Sequence, residues 1–210
     1  MKRLVRFEIH GYWHAGTGRG AGPELGAVVA RTPEGLPFVP GRTVKGLLRA
    51  AMELAEKAGA VPGGSAEHWF GTPLPPPKGS AEGERERTLE EMRFRTESGA
   101  LVVDSAVLGK GDAAATWRAW AASHPAEVEA LFRSFASTRI DESGVAAEHT
   151  LRAIEVAVPM TLLASVSGPS EPFEEVTWLD ALAKSVPLID GLGSHRNRGL
   201  GRVTVTVEGA

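Results

Sequence analysis

The 210-residue chain predicts an α+β fold with a ferredoxin-like (RRM-like) βαββαβ core, and three periodic patterns carry that prediction. Period-2 alternation both opens and closes the chain, a helical apolar stripe follows the first alternating segment, and a long alternating run precedes a second helix. With 42% hydrophobic and 23% charged residues, the composition is that of an ordinary globular protein, without the apolar depletion of a disordered chain. This length favours one domain, residues 1–210, with insertions at about residues 60–99 and 109–150.

Over residues 5–13, Val5, Phe7, Ile9 and Trp13 fall on one face, while Arg6, Glu8, His10, Tyr12 and His14 fall on the other, which predicts a first strand. The stretch from Gly16 through Gly18, Gly20 and Gly22 to the turn at Pro33 and Gly35 is too rich in glycine for regular structure and reads as a long functional loop. A helix then starts near Thr43, whose hydroxyl can cap it, and carries Val44, Leu47, Leu48, Ala51, Leu54, Ala55 and Ala58 at helical spacing until Gly59. Residues 61–91 are polar and proline-rich apart from Trp69, Phe70 and Gly71, and are expected to add little core.

Residues 101–108 are apolar enough for a buried strand, and Asp112 can cap a helix bearing Trp117 and Trp120. Pro125 opens a further helix, predicted to bury Val128, Leu131, Phe132 and Phe135. Residues 137–150 read as a hairpin tip. Beyond it, Ile154, Val156, Val158, Met160, Leu162, Ala164 and Val166 alternate along one long strand, a helix spans residues 176–186, and Val203, Val205 and Val207 form the last strand. Such a fold hosts many functions, so the site must decide.

Several classes are excluded or disfavoured. The absence of cysteine removes disulfides, thiolate zinc sites and thiol nucleophiles. The N-terminus alternates instead of running apolar, so neither a signal peptide nor a membrane span is expected, and the cytoplasm is the default location. A net charge of −3 gives no global nucleic-acid signal, so any such reading rests on where the basic residues sit.

Two places concentrate them. Gly191, Gly193, Gly199 and Gly201 bracket a tip containing His195, Arg196 and Arg198, between a helix and a strand. Glycine permits close backbone approach, so N–H groups are expected to converge on a phosphate that Arg196 and Arg198 neutralise; the alternative is a flexible exposed connection. In the segment from Pro40 to Arg49, Arg42, Lys45 and Arg49 stand three and four apart on one helix flank, which paired with the loop offers a track for an RNA backbone. Gly46, poorly suited to a helix interior, leaves room for a close neighbour.

Together the Pro40, Gly41, Lys45, Gly46 and Arg49 pattern and the C-terminal glycine loop resemble the RAMP superfamily of CRISPR proteins, most closely the backbone subunit of type III effector complexes. Trp69-Phe70-Gly71, Val103 to Ala106, and Arg139, Ile140, Asp141, Gly144 and Glu155 are similar to further family patches. Arg42 stands where the family usually has Ser or Thr. The resemblance implies an RRM-like core that binds CRISPR RNA and pairs it with target RNA. It also implies contact with other effector subunits, copies associating along the RNA, and hairpins wedging between bases. Cleaving members carry an aspartate in the loop after the first strand; here no Asp precedes Asp104. Glu24 is the candidate replacement, with Mg2+ as the cofactor if cleavage occurs and no cofactor otherwise; its plainer role is as a partner for Arg19 or Arg31.

Residues 16–22 form no dinucleotide fingerprint, since Ala21 occupies the third glycine position, and residues 41–46 lack a P-loop ending. The six histidines show no zinc spacing. The tryptophans are assigned to packing, with Trp69 the one exception considered, as a contact for a base or a neighbouring subunit. Two rival roles remain: an endoribonuclease of the same superfamily that processes CRISPR transcripts, with His10 or His14 as acid or base, and a non-catalytic subunit capping a filament.

Overall fold

A computed structural model describes residues 1–16, 26–72, 97–146, 150 and 152–209. Its centre is a four-stranded antiparallel sheet of β1 (Lys2–Ile9), β2 (Val102–Val103), β5 (Thr161–Ser167) and β6 (Val203–Val207), in the spatial order β2-β5-β1-β6. Taken as the four strands of the core, this is the second-third-first-fourth order of the ferredoxin-like unit. Helices α1 (Gly41–Lys57) and α5 (Trp178–Ser185) are its two crossovers. They cover one face: Val44, Leu48, Met52, Ala181 and Leu182 join one buried cluster with Val5, Phe7, Leu162, Ala164, Val203 and Val205. The other face exposes Arg6, Glu8, Thr204 and Thr206.

The long 154–166 strand divides in two. Pro159 cannot donate a ladder hydrogen bond, and the chain breaks there into β4 (Arg152–Ala157) and β5. Strand β4 pairs with β3 (Phe132–Ser137) in a separate two-stranded hairpin. The helix opened by Pro125 ends at Glu129. Phe135, expected on its buried face, therefore lies on β3 and is 40% exposed. Helix α3 (Asp112–Ser123) and the short α4 (Pro125–Glu129) complete that insertion.

Helix α1 begins at Gly41, two residues before the expected Thr43 cap. Pro40 is its N-cap residue without a side-chain bond. Ser105 Oγ accepts the Gly41 N–H at 3.1 Å, so the capping group comes from a distant segment that helix-start signals do not reveal. Gly59, at φ +70°, ends it as expected. The 60–99 insertion adds more core than its composition suggests: α2 (Ser65–Phe70) buries Ala66, Trp69 and Phe70. Trp69 is fully buried, which removes it as a surface contact for a base or a neighbour.

Candidate nucleic-acid interface

The ferredoxin-like topology brings three connections to one end of the sheet: the segment from β1 to α1, the insertion between β2 and β5, and the loop from α5 to β6. Residues 12–15 tie them together. The Tyr12 carbonyl accepts Gly201 N at 2.7 Å, Trp13 exchanges two backbone bonds with Ala157 on β4, and the His14 carbonyl accepts Ser194 N at 2.9 Å. This extended segment is thus flanked by the glycine loop and by the base of the hairpin. The strand ends at Ile9, yet His10 and Tyr12 stay exposed and Trp13 buried as the alternation from Val5 predicts; it fails only at His14, expected on the open face but buried beside Trp13 and Ala15 once the chain has left the sheet.

The glycine loop is more tightly organised than a flexible connection. A Cβ at Gly193 would lie 2.2 Å from the His14 carbonyl oxygen, and one at Gly201 would lie 2.0 Å from that of Leu192. Both glycines have positive φ, +80° and +71°. Glycine is required there for close backbone packing. The N–H groups of Leu192, Ser194, Arg198, Gly199, Leu200 and Gly201 donate to carbonyls within the protein. Those six amides are engaged within the protein, so an anion at this loop would be met by the cationic side chains and by the amides of the tip outside those six. Arg196, Asn197 and Arg202 are exposed and, with Gly191, Gly199 and Asp190, line an open depression of about 770 Å³. Arg198 is exposed on the same tip, which a short 3-10 turn (Arg196–Arg198) shapes, and His195 sits at φ +60° with Nδ1 3.0 Å from Ser194 Oγ. Sequence reasoning passed over Arg202, whose only signal is its place directly after Gly201.

On α1, Arg42 is exposed and Lys45 half-buried. A Cβ at Gly46 would meet nothing within 4 Å among the described residues, and the residue is exposed, so nothing among them requires glycine there. Arg49 is otherwise committed. Its Nε bonds Glu53 at 2.8 Å and its Nη1 bonds the Gly71 carbonyl at 2.6 Å, fastening α1 to the end of α2.

The hairpin side has its own brace. Glu155 accepts from Val29 N at 2.9 Å and from Arg31 at 2.6 Å, while Arg31 also pairs with Glu129 and lies 3.6 Å over the Phe132 ring. Partial burial works against the Arg31 charge, but hydrogen bonds and attraction from Glu129 and Glu155 outweigh it, so its pKa is raised. His14 Nδ1 lies 2.6 Å from the Glu155 carbonyl oxygen, within the same bracing. At the tip, Asp141 gathers the Ser143 hydroxyl and the Ser143 and Val145 N–H groups, leaving Ile140 and Val145 exposed. Beyond the brace, the hairpin exposes almost every residue of β3.

Glu24 lies outside the described residues. Among the described residues, no three His, Asp or Glu side chains are grouped to hold a metal ion, and no helix is long and apolar enough to cross a membrane.

Fold and site define a ferredoxin-like protein with its basic groups and its glycine loop at one end of the sheet. The chain belongs to the RAMP superfamily, whose model matches residues 6–204. Its fold is similar to that of chains in three solved assemblies. A chain of the type III-B Cmr-beta complex bound to cognate target RNA has TM-score 0.61 and 10% identity over 99% of this chain and 97% of that one. One from the apo state of type III-B Cmr-beta has TM-score 0.63 and 12% identity over 100% and 98%. One from a type IV-B CRISPR complex has TM-score 0.56 and 16% identity over 100% and 91%. No curated protein sequence matches.

Proposed function

We propose that this protein is an RNA-binding backbone subunit of a type III CRISPR effector ribonucleoprotein. Superfamily membership supports the reading, as does the likeness in fold to subunits of assemblies of which one is described as bound to target RNA. The observation that carries it is the collection of Arg196, Arg198 and Arg202 at the same end of the sheet as the start of α1, with Arg42, Lys45 and a glycine at position 46 that no contact among the described residues explains. The guide RNA backbone follows these cations, and Gly46 lets it approach the helix. The exposed hairpin tip, with Ile140 and Val145 uncovered, favours a subunit that meets neighbours along the RNA.

The processing-nuclease alternative gains less. His14 is buried and directed at a backbone carbonyl, and His10 Nε2 lies 2.8 Å from Thr204 Oγ1 on the open sheet face. Binding without cutting is the expected behaviour of the isolated chain.

Salt titrations of RNA affinity test the proposal. Replacing Arg42, Lys45, Arg196, Arg198 or Arg202 singly by Ala should reduce the slope of log K against log salt by about 0.7 per lost phosphate contact. Gly46→Ala should stabilise the free protein by about 1 kcal/mol, since Ala is the better helix former, while weakening RNA binding. Mass photometry on RNAs of increasing length should show mass rising in equal steps. Unchanged slopes in all five variants, or a Gly46→Ala protein that binds RNA as tightly as the parent, would remove the proposed track.

A further inference from the structure

RNA-binding RRM sheets stack bases on aromatic side chains of their open face. The open face here shows Arg6, Glu8, Thr204 and Thr206, and none of the strand residues facing that side is aromatic. An aromatic side chain arrives instead from the insertion. Trp117 of α3, 39% exposed, lines a groove of about 460 Å³ with Leu108, Leu131, Met160, Thr161 and Leu163. Thr161 and Leu163 alternate with the core residues Leu162 and Ala164, so they point to the same side as their register partners Glu8 and Arg6. The groove is therefore continuous with the open sheet face. It also lies at the start of β5, the end of the sheet that carries the glycine loop.

Trp117 is held in place. Its ring meets Trp120 edge-on at 5.6 Å, Trp120 stacks on His124 at 5.4 Å, and His124 Nδ1 lies 2.9 Å from the Trp120 carbonyl oxygen. A ring fixed in this way loses little freedom when a second ring stacks on it. None of the groove's lining residues is acidic; Lys110 is engaged by the Ser105 carbonyl at 3.3 Å, and Arg118 lines an adjoining small cavity that shares Leu108 with the groove. A pre-set aromatic ring on an apolar lining, with a cation nearby, is what single-stranded nucleic acid recognition uses.

We propose that this groove takes one unpaired nucleobase, stacked on Trp117, from the RNA strand whose backbone the glycine loop and α1 hold. The proposal rests on the reading of the chain as an RNA-binding protein and adds a base-contact site to it. Stacking is indifferent to base identity, so one nucleotide per copy is captured without sequence preference.

Two experiments on the full chain decide it. RNA substituted with 5-iodouridine should, on irradiation, cross-link to the peptide containing Trp117. Scanning a single abasic position along the RNA should weaken binding to the unaltered protein at one position per copy, roughly 5- to 100-fold, the range expected for one stacked base. Trp117→Ala should show the same loss on intact RNA with an unchanged salt slope, Trp117→Phe should recover most of it, and the alanine variant should become indifferent to the abasic position. The scan uses the unaltered protein, so it decides even if the alanine variant misfolds. A flat scan with no cross-link at Trp117, in a protein that still binds RNA with its full salt slope, overturns the base site and leaves the proposed function standing. In the assembled complex, protection of Trp117 by another subunit with RNA affinity unchanged in Trp117→Ala overturns it in favour of a protein partner. Absence of RNA binding by the unaltered protein overturns both readings.

Discussion

The glycine loop and the β3–β4 hairpin lie on either side of the same stretch of backbone, residues 12–15, and they are built in opposite ways. In the loop, six amides, four of them successive from Arg198 to Gly201, are satisfied by carbonyls of the protein, and two glycines let backbone approach backbone more closely than a Cβ allows. The described part of the hairpin is anchored along β4, through Glu155 with Arg31 and through backbone bonds of Ala153 and Glu155 with Gly26 and Ala27, while Phe135, Ile140 and Val145 are uncovered. The loop is ordered by the protein's own bonds, so an anion binding there, as proposed, would add charge neutralisation without the cost of ordering the chain. The hairpin is a projecting arm whose apolar surface still has its water to lose. One element is preorganised, and the other leaves apolar surface uncovered.

The largest expected effect sharpens the loop side. Gly193→Ala and Gly201→Ala each place a Cβ against a carbonyl oxygen, at 2.2 Å and 2.0 Å, in a backbone with positive φ. The left-handed conformation alone costs an L-residue about 1–2 kcal/mol, and displacing the adjoining backbone hydrogen bonds adds about 1 kcal/mol. Gly199→Ala, at φ +84° but with open space around it, should cost only the first of these. Thermal unfolding should fall by roughly 2–4 °C per kcal/mol, placing Gly193 and Gly201 clearly below Gly199. Equal shifts for all three would mean that conformation, and not close packing, explains these glycines.

Next comes the hairpin base. Glu155→Ala leaves the N–H of buried Val29 without its acceptor and deprives Arg31 of one of two carboxylates. A loss of about 1–3 kcal/mol follows from an unsatisfied buried donor. Hydrogen exchange should accelerate in β3 and β4, leaving the amides that pair β1 with β5 and β6 protected. Uniform acceleration would show that the hairpin and sheet open as one unit.

These contrasts also explain what the sequence could and could not announce. The four core strands and two crossover helices were legible because burial on one face imposes period-2 and 3.6-residue patterns. The hairpin was only half legible: its strands are exposed beyond Phe132, so no burial pattern marks where the short helix ends and β3 begins. Pro159 was the available signal that the 154–166 run divides. Trp69 was misplaced because a single helical turn supplying three core residues leaves no periodicity to read. In the site, Arg196 and Arg198 stood out beside their glycines, whereas the engagement of Arg49 with Glu53 and Gly71 depends on a fold contact that spacing does not encode. Trp117 looked like one more packing residue, since only the three-dimensional groove beside it sets it apart.

The smallest effect lies at the hairpin tip and asks whether the arm has any order of its own. Asp141 accepts hydrogen bonds from the Ser143 hydroxyl and from the Val145 and Ser143 amides, and these hold its carboxyl below the ordinary value of 3.8. Because the folded pKa is depressed, the contribution to tip stability is fully present above the unfolded value and is lost as pH falls through the folded one. Nothing should therefore change between pH 7 and about pH 5. Below 3.8, the Ser143 and Val145 amide resonances should move together, with a midpoint on the acid side of that value. Asp141 is fully exposed, so the change should stay within the tip and leave the unfolding of the sheet untouched. Asp141→Asn, which keeps an acceptor oxygen without the charge, should abolish the titration while preserving part of the turn. A midpoint at or above 3.8, or an Asn variant that still titrates, would show that the turn does not depend on this carboxylate and that the tip has no set shape before a partner supplies one.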